Sequence, residues 1–320
     1  MLPETGPEPQ LPPPSTLRAY LQLVRVPNLF TAMADVVMGF LFTHAAIGGG
    51  DAWVFGLLVG ASTLVYAAGV VLNDVFDFAV DARERPERPL PSGRIPLSVA
   101  RKLGAGLLLV GVAWAWLGGF LAGDLRPGLV GSGLAGCVVL YDAVLKRTPL
   151  GPVTMGACRL LNVLLGMSAA VGPWGDEHWL AAAAMGTYIV GVTWFARTEA
   201  GQSRRRHLVP ATAVIVGGIG LLWMVPGRCD PAELVPLLQD EPGRWSLLMA
   251  VLGALIGFRC LRAVVEPVPY RVQTAVRQCI LSLVILDAAA CFVVRGIPGA
   301  VMVLVLLIPT VVLGWWIEST

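Results

Sequence analysis

Apolar residues run along this chain in blocks of about twenty, separated by short clusters of Gly, Pro, Asp, Arg and Lys. A helix rises about 1.5 Å per residue, so blocks of that length cross the hydrocarbon core of a bilayer. Ten such spans are readable, at about 17–43, 52–74, 97–121, 127–145, 150–172, 179–197, 208–225, 245–263, 276–294 and 297–317. The intervening Gly and Pro residues end helices or begin turns. The span at 127–145 is short and Gly-rich, and only Arg295 and Gly296 separate the last two. The pattern predicts an all-α polytopic membrane protein.

Composition agrees. Of 320 residues, 56% are hydrophobic and 14% charged, against about 25% charged in a soluble domain. Residues 1–16 are rich in Pro and Glu and lack a basic segment followed by an apolar core. They predict a disordered cytosolic tail ahead of a single domain over 17–320. A net charge of +2 gives no basis for a nucleic-acid partner. The six cysteines show no CxxC spacing and lie mostly in apolar runs, as packing residues do.

Lys and Arg orient the spans. With the N-terminus inside, eighteen of the 23 fall on cytoplasmic segments and four outside, while Arg159 lies within a span. The expected location is the cell (inner) membrane, with the N-terminus and both long charged loops in the cytoplasm.

The densest chemistry follows the second span: Asn73, Asp74, Asp77 and Asp81, then Arg83, Arg85 and Arg88, then Pro89-Leu-Pro-Ser-Gly93. On a helix Asn73, Asp77 and Asp81 drift by about 40° per step and share a face. Stacked carboxylates repel unless a cation sits over them. An all-oxygen set suits Mg²⁺, which takes one or two carboxylates together with waters and substrate phosphates. The arginines behind them suit phosphate oxygens. The plain alternative is a solvated turn at a membrane edge.

Four further groups stand out. Tyr141-Asp-Ala-Val-Leu-Lys-Arg147 follows the fourth span. Arg197 and Glu199, ahead of Arg204-Arg-Arg206, follow the sixth. Arg159 and Asn162 lie one turn apart inside an apolar span, where an arginine faces a polar cavity or a counter-ion such as Asp142 or Asp287. Asn28 follows Arg25-Val-Pro at the first helix, as an acceptor contact or as an ordinary cap. Asp35 lies further in, with no evident role.

The first group, Asn73-Asp74-x-x-Asp77-x-x-x-Asp81 followed by Arg85, Arg88, Pro89, Pro91, Ser92 and Gly93, resembles the signature of the UbiA superfamily of intramembrane prenyltransferases. The Tyr141…Lys146-Arg147 segment is similar to that family's YxxxxKR element. The resemblance implies nine or so helices around a central cavity. It implies Mg²⁺ held by Asn73, Asp74, Asp77 and Asp81 with Glu199 assisting, and catalytic roles for Asp77, Lys146 and Asn73. The donor would be an isoprenyl diphosphate, contacted by Lys146, Arg147, Arg85 and Arg88, with Arg159, Asn162, Arg197 and Asn28 as further substrate contacts. An aromatic or other hydrophobic acceptor would take the prenyl group within the bilayer, and rings such as Phe76 or Trp194 would shield the allylic cation. The family's second aspartate motif is altered here: Arg197 stands about where an aspartate is expected, as it resembles the EboC-like branch. The rival expectation is a non-catalytic or transport-type protein of the same fold.

Overall fold

A computed structural model describes residues 16–197 and 204–317. Among them there is no strand, and every predicted span holds a helix. The helices are α1 (Thr16–Val24), α2 (Val26–Thr43), α3 (Gly50–Phe76), α4 (Phe78–Glu84), α5 (Leu97–Ala122), α6 (Arg126–Ala143), α7 (Gly151–Met167), α8 (Asp176–Ala196), α9 (Arg205–Trp223), α10 (Pro236–Asp240), α11 (Gly243–Val265), α12 (Pro269–Leu304) and α13 (Leu307–Ile317). A one-turn 3₁₀ helix, Leu145–Arg147, follows α6.

Seven segments of the described residues are long and apolar enough to cross a membrane. One of them, Pro269–Trp316, has 48 residues and is long enough for two crossings. It breaks at Gly296, whose φ of 62° and ψ of −156° suit only glycine. At the break Arg295 donates to the Leu41 carbonyl near the end of α2, whereas Gly314 lies beside Pro27 at that helix's start. The chain therefore turns back at Gly296, and the last two predicted spans are separate limbs. The shorter α6 and α7, with 18 and 17 residues, complete the bundle.

Side chains of α2, α7, α8, α9, α11 and α12 form the larger apolar core, and α3, α5 and α6 build a second one against α2 and α7. Large apolar residues such as Leu109, Phe120, Leu247 and Trp315 point outward, as lipid-facing positions do. The two cores meet where α2 crosses α7. A Cβ on Gly39 would strike the Val163 carbonyl, and one on Gly166 would strike the Val36 carbonyl. Small residues thus let the two backbones touch.

The first span is bent. Arg25, between α1 and α2, has φ 51° and ψ 52°, a left-handed conformation costing an L-residue about 1–2 kcal/mol. Its side chain shows what that strain secures.

Candidate active site

Asn73 and Asp74 occupy the last turns of α3, a helix kept long by its run of apolar residues. The helix stops at Asp77 (φ −91°, ψ 2°) and resumes as α4, which carries Asp81. Across the opening, the 3₁₀ turn after α6 presents Lys146 and Arg147. The Lys146 ammonium donates to Asn73 Oδ1 at 2.6 Å and to Asp77 Oδ2 at 2.8 Å, and Arg147 donates to Asp77 Oδ1 at 2.9 Å. Two segments some seventy residues apart are joined there. Lys146 is largely buried, while Arg147 is 64% exposed at the side chain.

The single face expected for Asn73, Asp77 and Asp81 is corrected. Asp81 accepts from Arg88 at 2.8 Å, and the same guanidinium nitrogen lies 3.7 Å from Asp74. Asp74 also accepts from Arg25 at 2.9 Å. Residues seven apart on a helix differ by only about 20°, so Asp74 and Asp81 align better than residues eight apart, and the break at Asp77 adds to the separation. The four side chains form two ion-pair groups: Asn73 and Asp77 with Lys146 and Arg147, and Asp74 and Asp81 with Arg25 and Arg88. Arg25 is the member that sequence reasoning missed. Its sole sequence signal was a charge just before a helix-starting Val-Pro.

Other expected residues fall elsewhere. Arg85 is exposed and outside both groups. Arg197 donates to the Thr148 carbonyl at 2.6 Å, tying the end of α8 to the turn that carries Lys146. Glu199 lies outside the described residues.

A cavity of about 350 Å³ opens beside Asn73 and Arg25 and runs inward between α2, α3, α6, α7, α8 and α12. Its walls are mainly apolar, including Val65, Val138, Ile189 and Ile280, and its rings are Tyr66 and Tyr141. Phe76 and Trp194, expected as shielding rings, are not on the wall, and Phe76 is 44% exposed. Asn28 lines the cavity and caps no helix end, since α2 begins at Val26 without a side-chain cap.

Deeper in the cavity stand Arg159 and Asn162. Arg159 pairs with Asp35 at 2.6 Å, so its counter-ion is neither Asp142 nor Asp287. Asn162 donates to Asp35 at 2.7 Å and to the Ala32 carbonyl at 2.9 Å, and accepts from Ser62 at 2.6 Å. Asp287 of α12 is fully buried beside Asp35.

Among the described residues no three His, Cys, Asp or Glu side chains converge as a metal site. The expected ligand set of Asn73, Asp74, Asp77 and Asp81 is therefore divided in this structure, with Asp74 and Asp81 drawn to Arg25 and Arg88. What does converge is an amide oxygen and a carboxylate oxygen, both within 2.8 Å of one cationic nitrogen. That donor chemistry fits Mg²⁺, which needs few protein oxygens when phosphates and water complete its shell.

The sequence pattern described as the UbiA prenyltransferase family matches residues 32–267. The chain is 37% identical over 163 residues to digeranylgeranylglyceryl phosphate synthase of Methanopyrus kandleri, covering 49% of this chain and 57% of that one. The chain spans about half the length of the curated relatives it matches. A structure solved in work on digeranylgeranylglyceryl phosphate synthase in membranes superposes with a TM-score of 0.62 at 21% identity, over 88% of this chain and 99% of that one. A UbiA homologue from Archaeoglobus fulgidus bound to GPP and Mg²⁺ superposes with a TM-score of 0.57 at 15% identity, over 86% and 100%. At these identities the structural likeness is one of fold.

Proposed function

Because the chain belongs to the UbiA prenyltransferase family, we propose that it transfers a prenyl group from an isoprenyl diphosphate to a lipid-soluble acceptor inside the membrane, in a Mg²⁺-dependent reaction. The observation that carries this reading is Lys146 held between Asn73 Oδ1 and Asp77 Oδ2 at the mouth of a mainly apolar cavity. A charged end and a greasy tail find their environments side by side. Asn73 and Asp77 are the residues that would hold Mg²⁺, with Asp74 and Asp81 next in reach. The bound ion supplies Lewis-acid stabilisation to the departing diphosphate.

This chain's own groups do the remainder. Lys146 and Arg147 offset charge growing on the leaving oxygens, as preorganised cations do in a water-poor site. Arg25 and Arg88 hold Asp74 and Asp81 in place beside them. The apolar wall keeps water from the allylic centre, and the rings of Tyr66 and Tyr141 face it from the cavity side. Relatives named for digeranylgeranylglyceryl phosphate synthesis make geranylgeranyl diphosphate the first donor to try, with an alcohol-bearing lipid as acceptor. The bias of Lys and Arg supports a cytoplasmic mouth in the cell membrane.

The test is pyrophosphate release from geranylgeranyl diphosphate by the full chain in lipid nanodiscs, with Mg²⁺ or with EDTA. A cell lipid extract serves as acceptor pool, and Asp77→Asn as control. Release that requires Mg²⁺, vanishes in the variant and yields a prenylated lipid supports the reading. Donor binding without release would instead favour a binding or transport role.

A further inference from the structure

Prenyl transfer to an alcohol leaves a proton behind, and the cations Lys146, Arg147, Arg25 and Arg88 cannot take it. Among the described residues, Asp142 is the one carboxylate on the cavity wall. It sits in the last turn of α6 and is only 4% exposed, so what reaches it arrives through the cavity. The acids around the mouth are engaged: Asp77 with Lys146 and Arg147, Asp74 with Arg25, and Asp81 with Arg88. Deeper down, Asp35 is engaged with Arg159. Asp142 makes no hydrogen bond and no ion pair with any described residue.

A buried carboxylate without a partner is costly, and one that lines a cavity is a candidate for chemistry. The charges that act on it most strongly are those of Lys146, Asp77, Arg25 and Asp74. The nearby Tyr141 and Cys158 also line the cavity. A phenol or a thiol ordinarily holds its proton at neutral pH, whereas an ionised carboxylate accepts one directly.

We infer that Asp142 is the general base of the transfer and that the acceptor offers it a hydroxyl proton. This rests on the prenyl-transfer reading above. In the step, the C1–O bond of the donor breaks and its electron pair leaves on the diphosphate. The acceptor oxygen forms the new bond to C1, and its proton passes to a carboxylate oxygen of Asp142. Charge and atoms balance without a further reactant.

The experiment uses the full chain in nanodiscs with Mg²⁺, geranylgeranyl diphosphate and geranylgeranylglyceryl phosphate as the alcohol. Donor Kd and kcat for transfer are measured separately for wild type, Asp142→Asn and Asp142→Ala. Both variants should bind donor within about twofold of wild type and lose transfer by about 10²–10⁴-fold, the usual reach of general base catalysis. Added formate should restore part of the activity of Asp142→Ala, which a merely structural role would not allow. Transfer by Asp142→Asn at close to the wild-type rate overturns the inference. So does loss of donor binding in both variants, or a loss of transfer that formate leaves untouched. A wild-type protein that releases no pyrophosphate from the donor fails the underlying reading instead, and the inference falls with it.

Discussion

The Lys146 ammonium and the Asp77 carboxylate lie 2.8 Å apart, closing the turn after α6 onto the break between α3 and α4. In the proposed reaction the contact would hold a leaving-group cation directly beside the oxygens suited to Mg²⁺. Lys146→Met should lower kcat for pyrophosphate release by about 10²–10³-fold, the scale on which single preorganised donors act. Arg147→Met should cost less, because its guanidinium is mostly in solvent. Steady-state kinetics of the two variants in nanodiscs check the order, and equal losses would contradict it.

Arg159 and Asp35 form an ion pair of 2.6 Å in the middle of the bundle, with Asp35 fully buried. Removing one member strands the other in a low dielectric. Arg159→Met or Asp35→Ala alone should destabilise the protein by about 3–5 kcal/mol, and the double variant by less than either single change. Denaturant unfolding in detergent reads the difference. A double variant as damaged as the sum of the two would show that the pair is not coupled.

Close contact of α2 and α7 depends on Gly39 and Gly166. Gly166→Val should lose about 1–3 kcal/mol or more, because a side chain there meets backbone that cannot yield. Gly136, on α6, has open space where its Cβ would stand, so Gly136→Val serves as the harmless comparison. Thermal melts of both variants decide it.

At the opposite end of the bundle, Arg126 donates to Asp124 at 2.7 Å and to the Gly172 carbonyl at 2.6 Å, and also to the Ala170 carbonyl. Hydrogen bonding from Arg126 holds the Asp124 carboxyl below the usual carboxylate range. A depressed value means the folded state binds the proton more weakly than the unfolded one. Its contribution is therefore full above the ordinary Asp value of about 4 and is lost as pH falls through the lower folded value. Asp124→Asn should remove that part of the acid sensitivity, seen as a smaller fall in melting temperature between pH 5 and pH 3 than in wild type. An unchanged fall would place the sensitivity elsewhere.

Much of this protein was legible before any fold was known. Ten apolar spans gave the helices, because the bilayer imposes a length on any segment that crosses it. Even the break at Gly296 was foreshadowed by Arg295 and Gly296 between two spans. The residues that gather at the candidate site stood out too, since oxygen-bearing and cationic side chains cluster in the sequence at Asn73–Asp81, Arg88 and Lys146-Arg147.

What the sequence could not decide was who faces whom. Periodicity placed Asp81 with Asn73 and Asp77, but the turn at Asp77 and the i, i+7 alignment gave it to Arg88 with Asp74. The sequence reading offered Asp142 or Asp287 as the counter-ion of Arg159, and helix packing instead brought to it Asp35, which had shown no evident role. That choice left Asp142 unpaired on the cavity wall. Hydrophobic length and residue type act locally along a chain and can be read from it. Pairing across helices depends on rotation and depth within the bundle, which close packing of side chains such as those around Gly39 and Gly166 sets only once the helices are assembled.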